Sequence, residues 1–359
     1  MRERSAPLPE LFMKKSLYLP LFTGLLIVCA LLSNTSIRAQ QQRTVRPQPS
    51  PSPSPRPAPS PQETPEVVFT RRVQVPVAVT DRHGQFVSGL TKNDFQVLED
   101  RVPQTIETFS DEHENLPVYV GVLMDTSASV VGKLRFEQEA SMNFLQTVIR
   151  IRRDRALFGT FDDEVTLRQD FTDKLDLLDR AVFGIKKHGT HTSLYDAVWQ
   201  FCDEKMRSAP GRRVLVIITD GEDTYSRATI RDAIDIAQRT NTTLFAVSTK
   251  AGLSGTTPGV EMGQVLDTAD RNLQKLCEET GGQAFFSGDI LSLERAFTKI
   301  SNELHTQYVL TYRPTNDTYD GSYRRIEVRL TNGRNNLKIR TKHGYNATQD
   351  AVLAPQQNQ

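Results

Sequence analysis

Apolar residues along this chain change their period twice. Between Val67 and Phe109 they alternate, with Val73, Val75, Val77 and Val79 separated by Gln74, Pro76, Ala78 and Thr80. That is the period of a strand with one face buried. Asp81–Gly84 reads as a turn, and Phe95–Glu99 and Thr105–Phe109 as further strands. From Val118 the pattern becomes solid apolar runs. Strands are expected at Val118–Asp125, Arg155–Phe161, Glu164–Arg168, Arg213–Asp220, Thr243–Ser248 and Gln283–Phe286. Between them the spacing is helical: Leu194, Ala197, Val198, Phe201; then Ile230, Ala233, Ile234, Ala237 with Ser226 as the cap; then Leu293, Ala296, Phe297, Ile300, Leu304. Tyr308–Tyr312 reads as a strand, after which alternation returns in Ile326, Val328 and Leu330. Asn332-Gly333 signals a hairpin, and Leu337 and Ile339 continue the alternation.

Strands apolar on both faces and alternating with helices predict an α/β fold, a doubly wound and mostly parallel sheet of the Rossmann-like kind. Each β-patterned flank is too small to bury a core alone. The two are therefore expected to pack together as a small all-β, sandwich-like domain with the α/β domain inserted between them.

The first residues belong to neither. Lys14 and Lys15 precede an apolar run, Leu17–Leu32, and small or polar residues follow to Ala39. This is the layout of a secretory signal cleaved after Ala39, or of an N-terminal anchor if it is retained. Arg46–Glu66 carries Pro at nearly every second position, which favours an extended polyproline II spacer. The chain is expected to be exported, and so periplasmic, cell-surface or secreted. Lys+Arg total 44 against 43 Asp+Glu. That balance gives no electrostatic case for nucleic acid or for an anionic membrane surface. Membrane attachment is expected only through an uncleaved N-terminal segment. Cys202 and Cys277 fall in helical patterns and read as buried thiols, although export would permit a disulfide.

Candidate chemistry lies at the strand ends. Val118–Ser129 delivers Asp125, Ser127 and Ser129 into a short polar turn, and Arg213–Asp223 ends its apolar run in Thr219, Asp220 and Gly221. The segment 188–196 places Thr192 just before a helix. In open α/β sheets ligands bind beyond the carboxyl ends of the strands. Carboxylates and hydroxyls are hard oxygen donors suited to a cation such as Mg²⁺. Asp and Ser at these positions also suit simple capping turns. Three such loops at corresponding ends of one sheet favour a shared ligand over three separate caps. His188 and His191 flank Thr192 without a Cys or carboxylate at zinc spacing, and read as loop residues. No G-x-S-x-G nucleophile elbow is present.

At these residues the chain resembles the von Willebrand factor A (VWA) domain family. Its metal-ion-dependent adhesion site has the order D-x-S-x-S, then T, then D, which maps onto Asp125, Ser127, Ser129, Thr192 and Asp220. The contexts TSLYDA and ITDGED fit as well, and LTKNDFQVLED with YVLTYRPT resembles a bacterial secreted group of A-domain-related proteins. The resemblance covers roughly Leu116–Tyr312. Together with the patterns read above, it gives the expected organisation 1–39 signal or anchor, 40–66 Pro-rich linker, 67–115 β-rich segment, 116–312 A domain, 313–346 second β-rich segment and 347–359 tail. It also implies that Ser127, Ser129 and Thr192 bind Mg²⁺ directly, with Mn²⁺ or Ca²⁺ as substitutes, while Asp125 and Asp220 act through bound water. Thr192 would be the ligand that changes between states, with Gly189 allowing its loop to adjust.

Neutral hydroxyl ligands leave such an ion electrophilic, so an Asp or Glu carboxylate from a partner protein can complete its shell. The expected function is binding rather than catalysis, with loop Lys250–Gly263 as the source of partner specificity. The alternative is a Mg²⁺-dependent hydrolase of the haloacid-dehalogenase phosphatase type, with Asp125 as nucleophile.

Overall fold

Two alternating patterns flanking a block of solid apolar runs produce two kinds of sheet. The computed structural model describes residues 72–111, 116–220, 222–250, 267–286, 290–331 and 336–348. The signal segment, the Pro-rich linker, Asn332-Gly333 and residues 251–263 of the specificity loop lie outside the described residues. Among those described, no helix is long and apolar enough to cross a membrane.

The chain enters through β1 (Val73–Thr80), β2 (Phe95–Glu99), β3 (Val102–Gln104) and β4 (Ile106–Ser110). The turn after β1 is built on Asp81, whose carboxylate accepts the N–H groups of His83 and Gln85 at 2.8 and 2.9 Å. Gly84 takes the positive φ of 77° that the turn requires. The central block follows as β5 (Val118–Asp125), α1 (Leu134–Val148), β6 (Arg155–Phe161), β7 (Val165–Thr172), α2 (Leu175–Phe183), α3 (Leu194–Phe201) and β8 (Arg212–Thr219). It continues through α4 (Ile230–Arg239), β9 (Thr242–Ser248), α5 (Thr268–Glu278), β10 (Ala284–Phe286) and α6 (Ile290–Thr306). The chain then runs into β11 (Tyr308–Tyr312), β12 (Tyr323–Leu330), β13 (Lys338–Thr341) and β14 (Gly344–Asn346).

The central block forms a six-stranded sheet in the order β10-β9-β8-β5-β6-β7. All its pairings are parallel except that of β6 with the edge strand β7. Both faces are buried, so one strand feeds two cores. Val118, Val120, Val122 and Met124 of β5 pack with α1, α2 and α6, while Leu123 joins α3, α4 and α5 on the other face. Strand β8 divides in the same way, with Val214, Val216 and Ile218 against Leu215 and Ile217. This is the doubly wound arrangement expected from runs apolar at every position. Cys202 and Cys277 are buried free thiols, and burial pushes the Cys202 thiol up to about 12. No disulfide joins them.

The flanking strands interleave as two four-stranded antiparallel sheets, β13-β1-β11-β4 and β14-β12-β2-β3. Their facing sides share one core of Val75, Val77, Phe95, Val97, Leu310, Tyr312, Ile326 and Tyr345. Two expectations are corrected here. The expected domain bound at 312 falls too late: Tyr308–Tyr312 pairs with β1 and β4, since α6 ends at Thr306 and delivers it to the small sheet. Nor do the strands either side of Asn332-Gly333 pair as a hairpin. Strand β12 goes to β2 and β14, and β13 goes to β1. Ile326 and Val328 on one and Ile339 on the other face a common core from opposite sheets.

One polar group sits at the heart of that core. Glu99 is 3% exposed and accepts hydrogen bonds from the hydroxyls of Tyr312 at 2.5 Å and Tyr345 at 2.8 Å. Arg324, 2% exposed, lies 3.7 Å from its other oxygen. Removing Glu99 would leave two hydroxyls and a guanidinium buried without their anion. Glu99→Ala should therefore cost about 3–5 kcal/mol of stability in equilibrium urea unfolding. A loss below about 1 kcal/mol would show that these groups find other partners.

Candidate metal centre

Strands β5 and β8 end side by side at the carboxyl edge of the sheet, and there the chain leaves the apolar core through Asp125 and Asp220. Asp125 is fully buried. Its Oδ1 accepts the Ser127 N–H at 2.8 Å and its Oδ2 the Thr219 hydroxyl at 2.7 Å. Burial pushes the Asp125 carboxyl up to about 6 despite these donors, and the Asp220 charge adds to the rise. Asp220 is 8% exposed and accepts a long 3.5 Å contact from the Glu222 N–H.

The Ser127 and Ser129 hydroxyl oxygens lie 3.0 Å apart. Neighbouring oxygens of an octahedron with Mg–O bonds near 2.1 Å are separated by about 3.0 Å. The two hydroxyls, hydrogen-bonded to each other, have the spacing of one octahedral edge, so this pair of donors fits the ion. Among the described residues, no group of three or more His, Cys, Asp and Glu side chains forms a metal-binding cluster. A cation at this edge would depend on hydroxyl donors.

Thr192 arrives on the loop before α3, and main-chain hydrogen bonds fix it. Its N–H donates to the Thr224 hydroxyl, and its carbonyl accepts the N–H groups of Thr224 and Tyr225, all at 3.0 Å. The same loop is sewn to the β5 turn by Gly189 N–H to the Thr126 carbonyl and to the β6 end by Ser193 N–H to the Asp162 carbonyl, both at 3.0 Å. The Thr126 hydroxyl closes this triangle on Asp162 at 2.8 Å. Gly189 is needed for closeness rather than for adjustment. A Cβ there would lie 2.4 Å from an Asp163 carboxylate oxygen and 2.6 Å from Asp162 Cβ.

Acidic side chains bind the remaining loop ends. Asp223 accepts the Leu194 N–H at 2.9 Å and the Ser226 hydroxyl at 2.6 Å, and Asp196 accepts the N–H groups of Arg227 and Ala228. Ser226 therefore serves this lacing rather than capping α4. The cap is Thr229, in a reciprocal box with Asp232. Asp163 accepts the N–H groups of Thr190 and His191 and pairs with the His191 ring, which holds its carboxyl below the usual range. His191 stacks on Tyr225 at 4.8 Å and forms part of the rim. Lys250, the first residue of the expected specificity loop, pairs with Asp267.

The structure thus brings the strand ends carrying Asp125 and Asp220, the Ser127–Ser129 turn and the Thr192 loop to one rim. Four of the five side chains are buried and Ser129 is exposed. Sequence reasoning missed Glu137, fully buried on α1 with both carboxylate oxygens unpartnered. Burial pushes it up to about 8, with Asp125 and Asp220 contributing repulsion. The signal was available, because Glu137 falls on the same helical face as Ser141, Phe144, Leu145 and Val148.

The sequence profile of the von Willebrand factor type A domain matches residues 120–299, half of the chain. No curated protein matches. Among solved structures, the PilB minor pilin from Streptococcus sanguinis is similar at 12% identity, over 53% of this chain and 62% of the pilin, with a TM-score of 0.40. An aerotolerance-related membrane protein from Bacteroides fragilis is similar at 16% identity, over 52% of this chain and 99% of its own, with a TM-score of 0.39. Proximal thread matrix protein 1 from the mussel byssus, solved with a zinc-occupied MIDAS motif, is similar at 10% identity over 57% and 49%, with a TM-score of 0.44. The chain spans less than two thirds of the pilin and of the byssus protein.

The raised Asp125 carboxyl has a consequence for the metal-free protein. Between its ordinary value and about 6 the folded state binds a proton that the unfolded state does not. Stability must therefore fall as pH rises through that window, by at most about 1.4 kcal/mol per pH unit for one group. In chelator, thermal melts between pH 4 and 6.5 should show this slope in the wild type, and Asp125→Asn should flatten it. Parallel curves for the two proteins would show that Asp125 titrates normally.

Proposed function

This chain belongs to the von Willebrand factor type A domain family, and from that premise we propose that it is an exported, metal-dependent protein-binding module. Asp125, Ser127, Ser129, Thr192 and Asp220 hold Mg²⁺, for which Mn²⁺ or Ca²⁺ can stand in, and the ion receives an Asp or Glu carboxylate from a partner protein. The observation that carries this reading is the pair of hydroxyl oxygens at octahedral-edge spacing beside a buried carboxylate. Bound there, the ion supplies a Lewis-acidic position for an anionic ligand.

The protein's own groups fit binding better than turnover. Asp125 cannot serve as a nucleophile in its present setting, since it is fully buried and each oxygen already accepts a hydrogen bond. Its role is to fix the Ser127 turn and to join it to β8. The hydroxyl ligands carry no charge, so the carboxylates compensate the cation from further out and only in part. The His191–Tyr225 stack beside Thr192 offers a flat aromatic surface next to the place where a partner's acid would arrive. Export rests on the N-terminal sequence pattern, with the Pro-rich spacer holding the folded part away from any tether.

Calorimetry with Mg²⁺ tests the site. Ser127→Ala removes one donor of the octahedral edge and should weaken binding by at least about tenfold, with the melting temperature in chelator unchanged. Proteins captured from the exported fraction by the wild type should be lost with chelator and with Asp220→Ala. Unchanged Mg²⁺ affinity in Ser127→Ala would overturn the site. Phosphatase turnover abolished by Asp125→Asn would overturn the binding reading.

A further inference from the structure

Helix α1 packs one long face against the sheet, and apolar residues occupy it from Phe144 through Leu145 to Val148. About two turns earlier the same face carries Glu137, with no exposure to solvent. Neither carboxylate oxygen has a hydrogen-bond partner. An ionised carboxylate left alone in such a place is among the most costly arrangements a core can hold. The arrangement contrasts with Asp125, where both oxygens are satisfied.

What surrounds Glu137 points to a missing positive charge. It lies within electrostatic reach of Asp125 and Asp220, which repel it, and of Lys133, which attracts it. The Lys133 ammonium donates to the backbone carbonyl of Thr249. The Thr249 hydroxyl faces Glu137 but, like it, closes no hydrogen bond of normal geometry. Burial favours the protonated Glu137 in the metal-free protein; with all three carboxylates ionised, three negative charges and one ammonium leave −2, the charge that one divalent cation cancels. The Ser and Thr hydroxyls of the rim add nothing to that balance.

Resting on the metal site proposed above, we propose that Glu137 is a third acid of that site: a carboxylate behind Asp125 and Asp220 that balances the cation's charge without ligating it and sets how strongly the site holds a hard cation. Glu137 lies on α1 one turn before Ser141, whose hydroxyl contacts Met124 next to Asp125, so its effect would reach the ion through the low-dielectric core, where charge acts furthest. In this role the unpartnered oxygens are functional. Hydrogen-bond donors placed there would spend the negative charge locally.

The test compares cations of different charge on the full-length protein. Calorimetric titrations with Mg²⁺ and with Tb³⁺ are run on the wild type, Glu137→Gln and Ser127→Ala, alongside melts in chelator. Glu137→Gln keeps the side chain's shape and removes its charge. It should weaken Mg²⁺ about tenfold, and Tb³⁺ about thirtyfold because the lost attraction scales with ion charge. The melting temperature in chelator should stay equal or rise, since an unsatisfied buried carboxyl is gone. Equal Mg²⁺ affinity for the wild type and Glu137→Gln overturns this inference while leaving the site itself intact, provided Ser127→Ala still loses the ion. Loss of both ions by the same factor also overturns it, because that is the mark of a packing defect. No Mg²⁺ binding by the wild type removes both readings. Should Glu137→Gln fail to fold, Thr249→Val takes its place. Deleting the hydroxyl that faces the carboxylate leaves more of its negative charge to the site and should tighten both ions by a few-fold, Tb³⁺ more than Mg²⁺, and no tightening overturns the inference.

Discussion

The hydrogen bond from the Thr219 hydroxyl to Asp125 joins the two central strands at the point where the sheet stops and the rim begins. Everything at the rim depends on that buried anion. Asp125 orders the Ser127 turn by accepting its N–H. The next residue, Thr126, takes the Phe161 carbonyl with its N–H, gives its hydroxyl to Asp162, and accepts the Gly189 N–H. Three loops separated by dozens of residues are thereby aligned by one carboxylate and its neighbour. Anion burial makes this costly, and the raised Asp125 and Glu137 carboxyls express that cost. These acids, one at the end of β5 and one on the adjoining α1, are the charge on which the proposed cation site would draw.

The small β-sheets are more than an appendage, because the last helix of the central block runs directly into β11. Arg212, at the start of β8, donates to the carbonyls of Leu304 and Asp111, and so ties the exit of the central block to its entrance. Buried Glu303 of α6 pairs with Arg340 of β13, and Asn346 of β14 donates to Asp235 of α4 at 2.7 Å. Helix α6 is therefore tied to the small sheets by both covalent continuity and the ion pair of its buried Glu303. Interleaving the chain's two ends in one sandwich also explains why neither flank carries enough apolar surface to stand alone.

Much of this was legible in the sequence, for reasons that can be named. Solid apolar runs mark two-faced strands, and every strand read from one in the central block exists, with ends shifted by a few residues at most. The α3 pattern Leu194, Ala197, Val198, Phe201 is buried as its spacing requires. What escaped was decided by partners distant in sequence. Asn332-Gly333 has local hairpin chemistry, but the demand that both neighbouring strands bury their apolar faces sent them to different sheets. Ser226 has the composition of a cap, yet Thr229 with Asp232 completes a reciprocal box and Ser226 is taken by Asp223 and Asp196. Glu137 was hidden because a glutamate on a helix reads as solvent-facing unless its position is checked against the apolar face.

The way Thr192 is held bears on how the rim could respond to a partner. Both its main-chain polar groups are engaged by Thr224 and Tyr225, and its neighbour Ser193 is engaged by Asp162. Thr192 cannot shift by itself without breaking several hydrogen bonds, each worth about 1 kcal/mol. Movement that preserves them must carry 222–226 along, and with it Asp220 and the Tyr225 ring stacked on His191. Gly189 does not loosen this assembly, since its role is close approach to the Asp162 and Asp163 side chains rather than a swinging hinge. The rim is thus pre-organised, and any change in coordination at Thr192 is collective. Under the proposed function, such coupling would make the response to an arriving carboxylate two-state rather than graded, because packed and hydrogen-bonded elements exchange between discrete arrangements.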